Sequence, residues 1–349
     1  MTRATTAEAA ALGNPSDPSA WDAFVEATDG GSYTQLCAWA EIKAVNGWRA
    51  ERLAVETGAG AVAAQLLVRM LGPTPWTVAY VPRGPFGPGL AGGLDEVTAA
   101  LRDAARRART TSITIEPPIL ADDPLLARLR TAGWRSTTPI QPDRTRLVDL
   151  RQDEDALWAG LRKKWRQYVS KARCGGLTIE DAGTAGLDEF YRIYVRTARR
   201  AGFVHRARSA YERVFEAFAA RDRARLLLAR DGKGEATAAL MLISCGATVT
   251  EPYGGMTDEG AASRANYLLK WEAIRSSRER GFATYDMWGL AHPGIEQFKA
   301  GFGGEEVRYA GAFEIVLNRP VHTAIALSRR AVVALARRRH ALPGGGDAT

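Results

Sequence analysis

The chain has 349 residues, enough for two domains that each enclose a core, and its 46% hydrophobic and 25% charged residues are those of a soluble globular protein. No apolar run reaches the ~18–20 residues of a membrane span, the amino terminus has no signal-peptide core, and the three scattered cysteines Cys37, Cys174 and Cys245 exclude a disulfide framework or a zinc site, so a reducing cytoplasm is expected. The net charge of +8 asks for a polyanionic partner, a demand that tRNA, a nucleotide-linked sugar, anionic lipid or DNA would each meet.

In chain order the periodicities alternate between helix and strand. Trp21 to Ala27 and Gln35 to Asn46 read as helices, and Arg49 to Val55, Gly60 to Leu71 and Thr77 to Val81 as strands closed by the turn Pro82-Arg83-Gly84-Pro85. Leu94 to Arg109 is an amphipathic helix, Ser112 to Glu116 a strand, Leu125 to Ala132 a helix and Arg144 to Leu150 a strand. The succession then restarts with one basic helix over Asp153 to Arg173, a strand at Leu177 to Glu180 and helices at Leu187 to Arg200 and Ser209 to Ala220. Strands at Arg225 to Arg230, Ala236 to Ser244 and Thr248 to Tyr253 lead to a long helix, Ala265 to Arg280, which Gly281 ends before a strand at Ala283 to Met287. The fold class is α/β with mixed sheets, in two units: 1–150, completed by a terminal helix at 319–342, and 151–318, which carries the main substrate site. Residues 343–349 read as a disordered tail.

Three segments carry chemistry. Arg162, Lys163, Lys164, Arg166, Lys171 and Arg173 fall together without an acid, interleaved with Trp165 and Tyr168, a pattern that favours phosphate and base contact over the alternative of a solvated helix face. Arg329, Arg330, Arg337, Arg338 and Arg339 form a second basic cluster. The stretch Phe298-Lys299-Ala300-Gly301-Phe302-Gly303-Gly304 joins a lone ammonium to glycines that would let backbone approach a ligand, or else forms a turn before a strand. Arg278-Glu279-Arg280-Gly281-Phe282-Ala283 has the letters of an acyl-CoA pyrophosphate loop but follows a helix instead of opening one, so a helix-capping glycine explains it better. The four histidines show no metal spacing, and Cys174 lacks a histidine partner for nucleophilic work. Asp286 is either a base or, more simply, the aspartate that fixes the next turn.

Ordered motifs carry a resemblance. Ser32 to Lys43, Tyr80-Val81-Pro82-Arg83-Gly84-Pro85, Gln141-Pro142-Asp143-Arg144-Thr145, Leu161 to Tyr168, Thr197 to Phe203, Tyr253-Gly254-Gly255, Asn266 to Ile274, Tyr285 to Gly289 and Phe298 to Gly304 resemble, in that order, the motifs of the Fem family, which moves amino acids from aminoacyl-tRNA onto peptidoglycan precursors. Trp165, Tyr168 and Ala201 stand where the family usually has Thr, Asn and Asp. The resemblance implies two acetyltransferase-like domains in tandem, here in a compact form without the helical arm of larger members. It implies Lys43 with Arg206 or Arg208 on the diphosphate of the acceptor, Trp39, Tyr211 and Tyr253 around that acceptor, and Lys299 with Phe298 beside it at the acceptor carboxylate or the reacting oxyanion. Arg162, Lys163, Lys164 and Arg166 are the candidate tRNA contacts. The implied reaction is aminolysis of the tRNA ester by a stem-peptide amine, with glycine a candidate donor residue and no cofactor. The implied partners are aminoacyl-tRNA and a lipid- or nucleotide-linked muropeptide, with peripheral contact to an anionic membrane from the cytoplasmic side and no DNA. A transferase acting on a natural-product peptide, and a non-catalytic tRNA-binding module, are the alternatives.

Overall fold

A computed structural model describes residues 15–290, 292–325 and 327. The first unit opens with α1 (Pro18–Ala27), which has proline in its first turn and whose start is capped by the Asp17 carboxylate accepting from the Ser19 N–H at 2.9 Å. It continues through α2 (Cys37–Ala44), the hairpin β1 (Trp48–Thr57) and β2 (Gly60–Met70), then β3 (Thr77–Val81), α3 (Leu94–Arg107), β4 (Thr110–Ile115), α4 (Leu125–Thr131) and β5 (Arg135–Thr137). The second comprises β6 (Arg144–Asp149), α5 (Glu154–Gly160), α6 (Lys163–Cys174), β7 (Thr178–Asp181), α7 (Leu187–Ala201), α8 (Arg208–Ala219), β8 (Ala224–Arg230), β9 (Ala236–Cys245) and β10 (Thr248–Met256). It closes with α9 (Asp258–Ser263), α10 (Ala265–Glu279), β11 (Thr284–Asp286), α11 (Pro293–Ala300) and β12 (Glu305–Arg308), before β13 (Ala312–Val316) returns to the first unit.

Two sheets result, ordered β1-β2-β3-β4-β13-β5 and β12-β6-β11-β10-β9-β8-β7. Each holds one parallel pair, β3 with β4 and β10 with β11, whose connections run through α3 in the first and through α9 and α10 in the second. That shared strand–helix–strand plan is the structural echo of a repeat that the sequence does not display. The boundaries expected at 150 and 318 need correction: β6 precedes residue 150 yet pairs with β11 and β12, and β13 precedes 318 yet lies between β4 and β5. Alternation identifies a strand, but sheet membership depends on partners as remote as Ile315 and Ile113, which alternation cannot reveal. Residues 319–325 are helical, and His322 and Ile325 line a cavity of about 280 Å³ against Trp48, Arg69 and Tyr80 of the first sheet. The rest of the expected terminal helix, the tail at 343–349 and the arginines at 329–339 lie outside the described residues.

The units are fused by a common core. Trp21, Phe24, Tyr33, Trp39 and Phe86 of the first pack with Phe190, Tyr211, Phe215, Phe218 and Met241 of the second, and separate clusters fill the outer faces of the two sheets. Burying such a side chain contributes roughly 1.5–3 kcal/mol, so several together hold the units firmly in register. Arg223 adds a half-buried clamp to Glu26 at 2.6 and 2.9 Å and to Asp22 at 3.1 Å. Gly246, at φ +53°, turns the β9–β10 hairpin so close to α1 that a Cβ would stand 2.2 Å from the Glu26 carbonyl. From α8 the chain passes to β8 through residues 220–223 alone, leaving no place for a helical arm.

The expected single basic helix is two. Leu161 and Arg162 are extended, and the Arg166 guanidinium caps the end of α5 by donating to the carbonyls of Ala159 and Leu161 at 2.8 Å.

Candidate active site

The second sheet opens where β10 and β11 part. They pair only from Thr248–Thr250 to Thr284–Asp286, while β10 runs on to Met256, and on its β9 side the register slips between Thr250 and Tyr253. Pro252 lies in that bulge and has no N–H for a ladder. Glu251, beside it, points into the gap and is buried. Its Oε1 binds the Lys270 ammonium of α10 and lies 3.6 Å from that of Lys299 on α11, while its Oε2 accepts the Tyr285 hydroxyl at 2.7 Å. Two ammoniums thus share one carboxylate.

Lys299 donates to three successive carbonyls, Met287, Trp288 and Gly289, the last at 2.9 Å. Burial draws its pKa down to about 8; Glu251 opposes that shift and Lys270 adds to it. The clamp holds a turn in which Trp288 has φ +43°. Asp286 holds the same turn, accepting from the Trp288 N–H at 2.8 Å and from the Thr145 hydroxyl, which is the turn-fixing role read from the sequence. The Trp288 ring packs on Tyr33 at 5.6 Å and under the Arg83 guanidinium at 5.0 Å, so it stands where the two units meet. Arg83 in turn donates to the Pro142 carbonyl at 2.7 Å, tying the Tyr80–Pro85 turn to the Gln141–Thr145 junction. Glu116 completes that tie, accepting the Tyr80 hydroxyl through one oxygen and the Ile140 and Gln141 N–H groups, at 2.6 and 2.9 Å, through the other.

Across Tyr33 lies a second group. Tyr33 meets Trp39 edge-on at 5.6 Å, the Lys43 ammonium sits 4.4 Å above the Trp39 ring, and the buried Trp39 Nε1 has no partner among the described residues. Lys43 is lowered to about 8, first by burial and then by the charges of Arg206 and Arg69. Tyr211 packs against Tyr253 at 5.2 Å and Tyr194 at 5.1 Å, and its hydroxyl accepts the Arg206 N–H at 3.0 Å. Burial raises the Tyr253 phenol, keeping it neutral. Arg206 and Arg208 differ in pairing: Arg208 is neutralised by Asp188 and Glu212, whereas the exposed Arg206 has no carboxylate partner among the described residues. Arg69, stacked on Trp48 at 4.7 Å, is equally unpaired. Sequence reasoning missed it, although a single arginine closing the apolar run of β2 was a visible signal.

The chain resembles known proteins along most of its length. A model described as the FemAB family matches residues 17–126, and one described as an acetyltransferase (GNAT) domain matches 158–300. The Lipid II:glycine glycyltransferases of Staphylococcus saprophyticus and of Staphylococcus aureus strain COL are 25% and 24% identical to the chain, over 88% and 87% of it and 93% and 92% of their own lengths. The crystal structure of FemX superposes with a TM-score of 0.80 at 22% identity, covering 88% of this chain and 98% of that one. The structure of L-PGS from Bacillus licheniformis shares the fold more distantly, with a TM-score of 0.53. Residues 17–126 thus match the FemAB family, and the chain has the fold of FemX.

Within this Fem fold the sequence-predicted residues divide into two sets. Trp39, Lys43, Arg206, Tyr211 and Tyr253 come together and connect through Tyr33 and Trp288 to Lys299. The basic helix faces elsewhere. Its Trp165 and Tyr168 pack on Tyr267 at 5.4 and 4.8 Å, and Tyr267 packs on Phe298 at 5.1 Å. The Trp165 indole donates to the Phe298 carbonyl at 2.9 Å, so Phe298 braces α6 against α11. Gly301 is needed for this indole, since a Cβ there would lie 2.2 Å from Trp165 Cε2, and Gly304 is pressed to the Leu147 carbonyl. These glycines accommodate protein, which corrects their reading as a ligand loop. Arg162, Lys163 and Lys164 remain exposed, Arg166 is committed to the end of α5, and Arg264 joins the surface over the Tyr168 ring at 4.7 Å.

The three unpaired cations predict an anion site. Lys43→Met and Arg206→Ala should each weaken binding of inorganic diphosphate, read by calorimetry, about tenfold or more. The affinity of the unaltered protein should fall as pH rises through about 8, where Lys43 loses its proton, and this fall should vanish in Lys43→Met. Diphosphate affinity that is indifferent to both substitutions would contradict the assignment.

Proposed function

We propose that this chain transfers an aminoacyl group, glycine first among the candidates, from aminoacyl-tRNA to the stem-peptide amine of a peptidoglycan precursor. The observation that carries the reading is the unpaired cluster of Lys43, Arg69 and Arg206 beside the Trp39, Tyr211 and Tyr253 wall, in a chain related along most of its length to Lipid II:glycine glycyltransferases. Cations without carboxylate partners suit the diphosphate of a lipid- or nucleotide-linked muropeptide. The aromatic wall then offers faces for the sugar and the stem peptide, directing the amine toward the junction at Trp288.

The chemistry is balanced without a cofactor. The neutral amine forms a C–N bond to the ester carbonyl carbon; the tetrahedral oxyanion collapses, the ester C–O bond breaks, and the ribose hydroxyl leaves with the proton given up by the amine. Lys299 acts from behind the Trp288 turn. It fixes the three carbonyls, and the cluster of two ammoniums and one carboxylate sets a net positive charge in a dry region, where it favours the developing oxyanion. Phe298 serves by packing. The substrates are held by Arg206, Lys43 and the aromatic wall on one side and, for tRNA, by the exposed surface of Arg162, Lys163, Lys164 and Arg264 on the other.

Membrane contact fits the same cationic rim. No described helix is long and apolar enough to cross a membrane. Val45, Met70 and Val204 are exposed by 60%, 58% and 96% and lie within two residues of Lys43, Arg69 and Arg206, a mixture suited to the inner face of an anionic bilayer.

The deciding assay presents a full set of labelled aminoacyl-tRNAs with lipid-linked muropeptide in anionic vesicles or with the nucleotide-linked form. RNase-sensitive transfer of one label is expected, faster on vesicles if the rim docks on lipid; absence of transfer to either acceptor while tRNA still binds would overturn the reading. Replacing Arg162, Lys163 and Lys164 together by alanine should flatten the dependence of log affinity for tRNA on log salt by about two to three. An unchanged slope would move the tRNA to another face.

A further inference from the structure

Glu251, Lys270 and Tyr285 make a fully buried polar cluster in the second unit, and the charge they set there leaves their geometric role to be explained. The Glu251 and Lys270 side chains are 2% and 4% exposed. An ion pair at such depth is weak evidence for stability, because apolar side chains of the same volume often do as well or better. An excess ammonium makes the arrangement costlier still, since Lys270 and Lys299 approach the same oxygen of one carboxylate. What the cluster does achieve is geometric: it places the Lys299 ammonium at the mouth of the β10–β11 gap, aimed at three carbonyls of one turn.

We propose that Glu251 and Lys270 are positioning residues that act on the reaction through Lys299, holding its ammonium on the Met287, Trp288 and Gly289 carbonyls and thereby fixing Trp288 at the junction of the two units. This rests on the transfer reaction proposed above, in which the stem amine is delivered to that junction. A charged lysine has three protons for three carbonyls; a neutral one has two and leaves one carbonyl without a donor. The Trp288 backbone, at φ +43°, is in a region that a large side chain adopts only under constraint, so it is poised to relax when the clamp loosens. Tyr285 keeps the carboxylate oriented by occupying Oε2, which leaves Oε1 to the two lysines.

The groups that face Lys299 come from every element packed around it: Glu251 from β10, Lys270 from α10, and Tyr285 and Asp286 from β11, with Arg83 from the first unit acting on Asp286. Their signs make the test specific. Glu251 favours the charged lysine and Lys270 disfavours it. Glu251→Gln should therefore move the alkaline limb of the transfer rate to lower pH, and Lys270→Met should move it to higher pH. For a limb near 8, a shift of one unit means about fivefold less activity at pH 8 in the first variant and about twofold more in the second.

The experiment measures kcat against pH for both variants. In parallel it follows the pH titration of Trp288 fluorescence, isolated as the difference between each protein and its Trp288→Phe counterpart. Opposite displacements of the two titrations support the proposal. Displacements in the same direction, or none, in variants whose circular dichroism is native would overturn it. If Glu251→Gln does not fold, the upward shift in Lys270→Met decides alone. The fluorescence titration needs no substrate, so a protein that shows opposite shifts but no transfer would retain the clamp while refuting the proposed reaction.

Discussion

One buried carboxylate shared by two ammoniums sits where two parallel strands separate, and the rest of the site follows from it. Glu251 is placed by the bulge beside Pro252, Lys270 by the inward face of α10 and Lys299 by the last turn of α11. The clamp made by Lys299 then dictates the turn at Trp288, whose ring lies between Tyr33 and Arg83. Through Arg83 the same constraint reaches Pro142, and through the short ties of Glu116 and Gln141 it reaches Tyr80 in the first sheet. A polar chain therefore runs from the interior of one unit to the interior of the other, across the place where the proposed substrates meet.

Around that chain the shared aromatic core keeps the cations in position. Lys43 comes from the helix that enters the common core, and Arg206 from the link between two helices of the second unit, so their approach depends on the units being fused. Other arginines are neutralised by neighbours, as Arg208, Arg221, Arg223 and Arg230 are. The cations left unpaired are thus distinguished from a generally basic surface, and burial of Lys43 beside two further positive charges makes an anionic ligand the natural compensation.

Most helices and strands were legible in the sequence because their apolar spacing is local, and the family resemblance rested on motifs that the fold does bring together: the Tyr80–Pro85 turn bonds to the Gln141–Thr145 junction. The grouping of Lys43 with Arg206 was legible only through that resemblance, since no spacing links α2 to residue 206. What escaped was non-local. The exchange of β6 and β13 between sheets, the packing of Trp165 on Gly301 and the role of Arg166 at the end of α5 all depend on neighbours brought in by the fold. The glycines around Lys299 had two physical uses, ligand approach and side-chain approach, and composition does not distinguish them. Glu251 drew no notice because a lone acid in an apolar strand has no pattern; its meaning appears only with Lys270, nineteen residues on, and Lys299 beyond it.

In the proposed reaction the acceptor's diphosphate and amine are held on opposite sides of Tyr33, at Lys43 and Arg206 and at Trp288. The most direct measurement is a structure of the protein with a nucleotide-linked muropeptide bound. Diphosphate oxygens are expected within hydrogen-bond distance of Lys43 and Arg206, with the stem-peptide amine against the Trp288 turn. A diphosphate seated instead on the surface of Lys163 and Lys164, with the Tyr211 and Tyr253 wall empty, would contradict it.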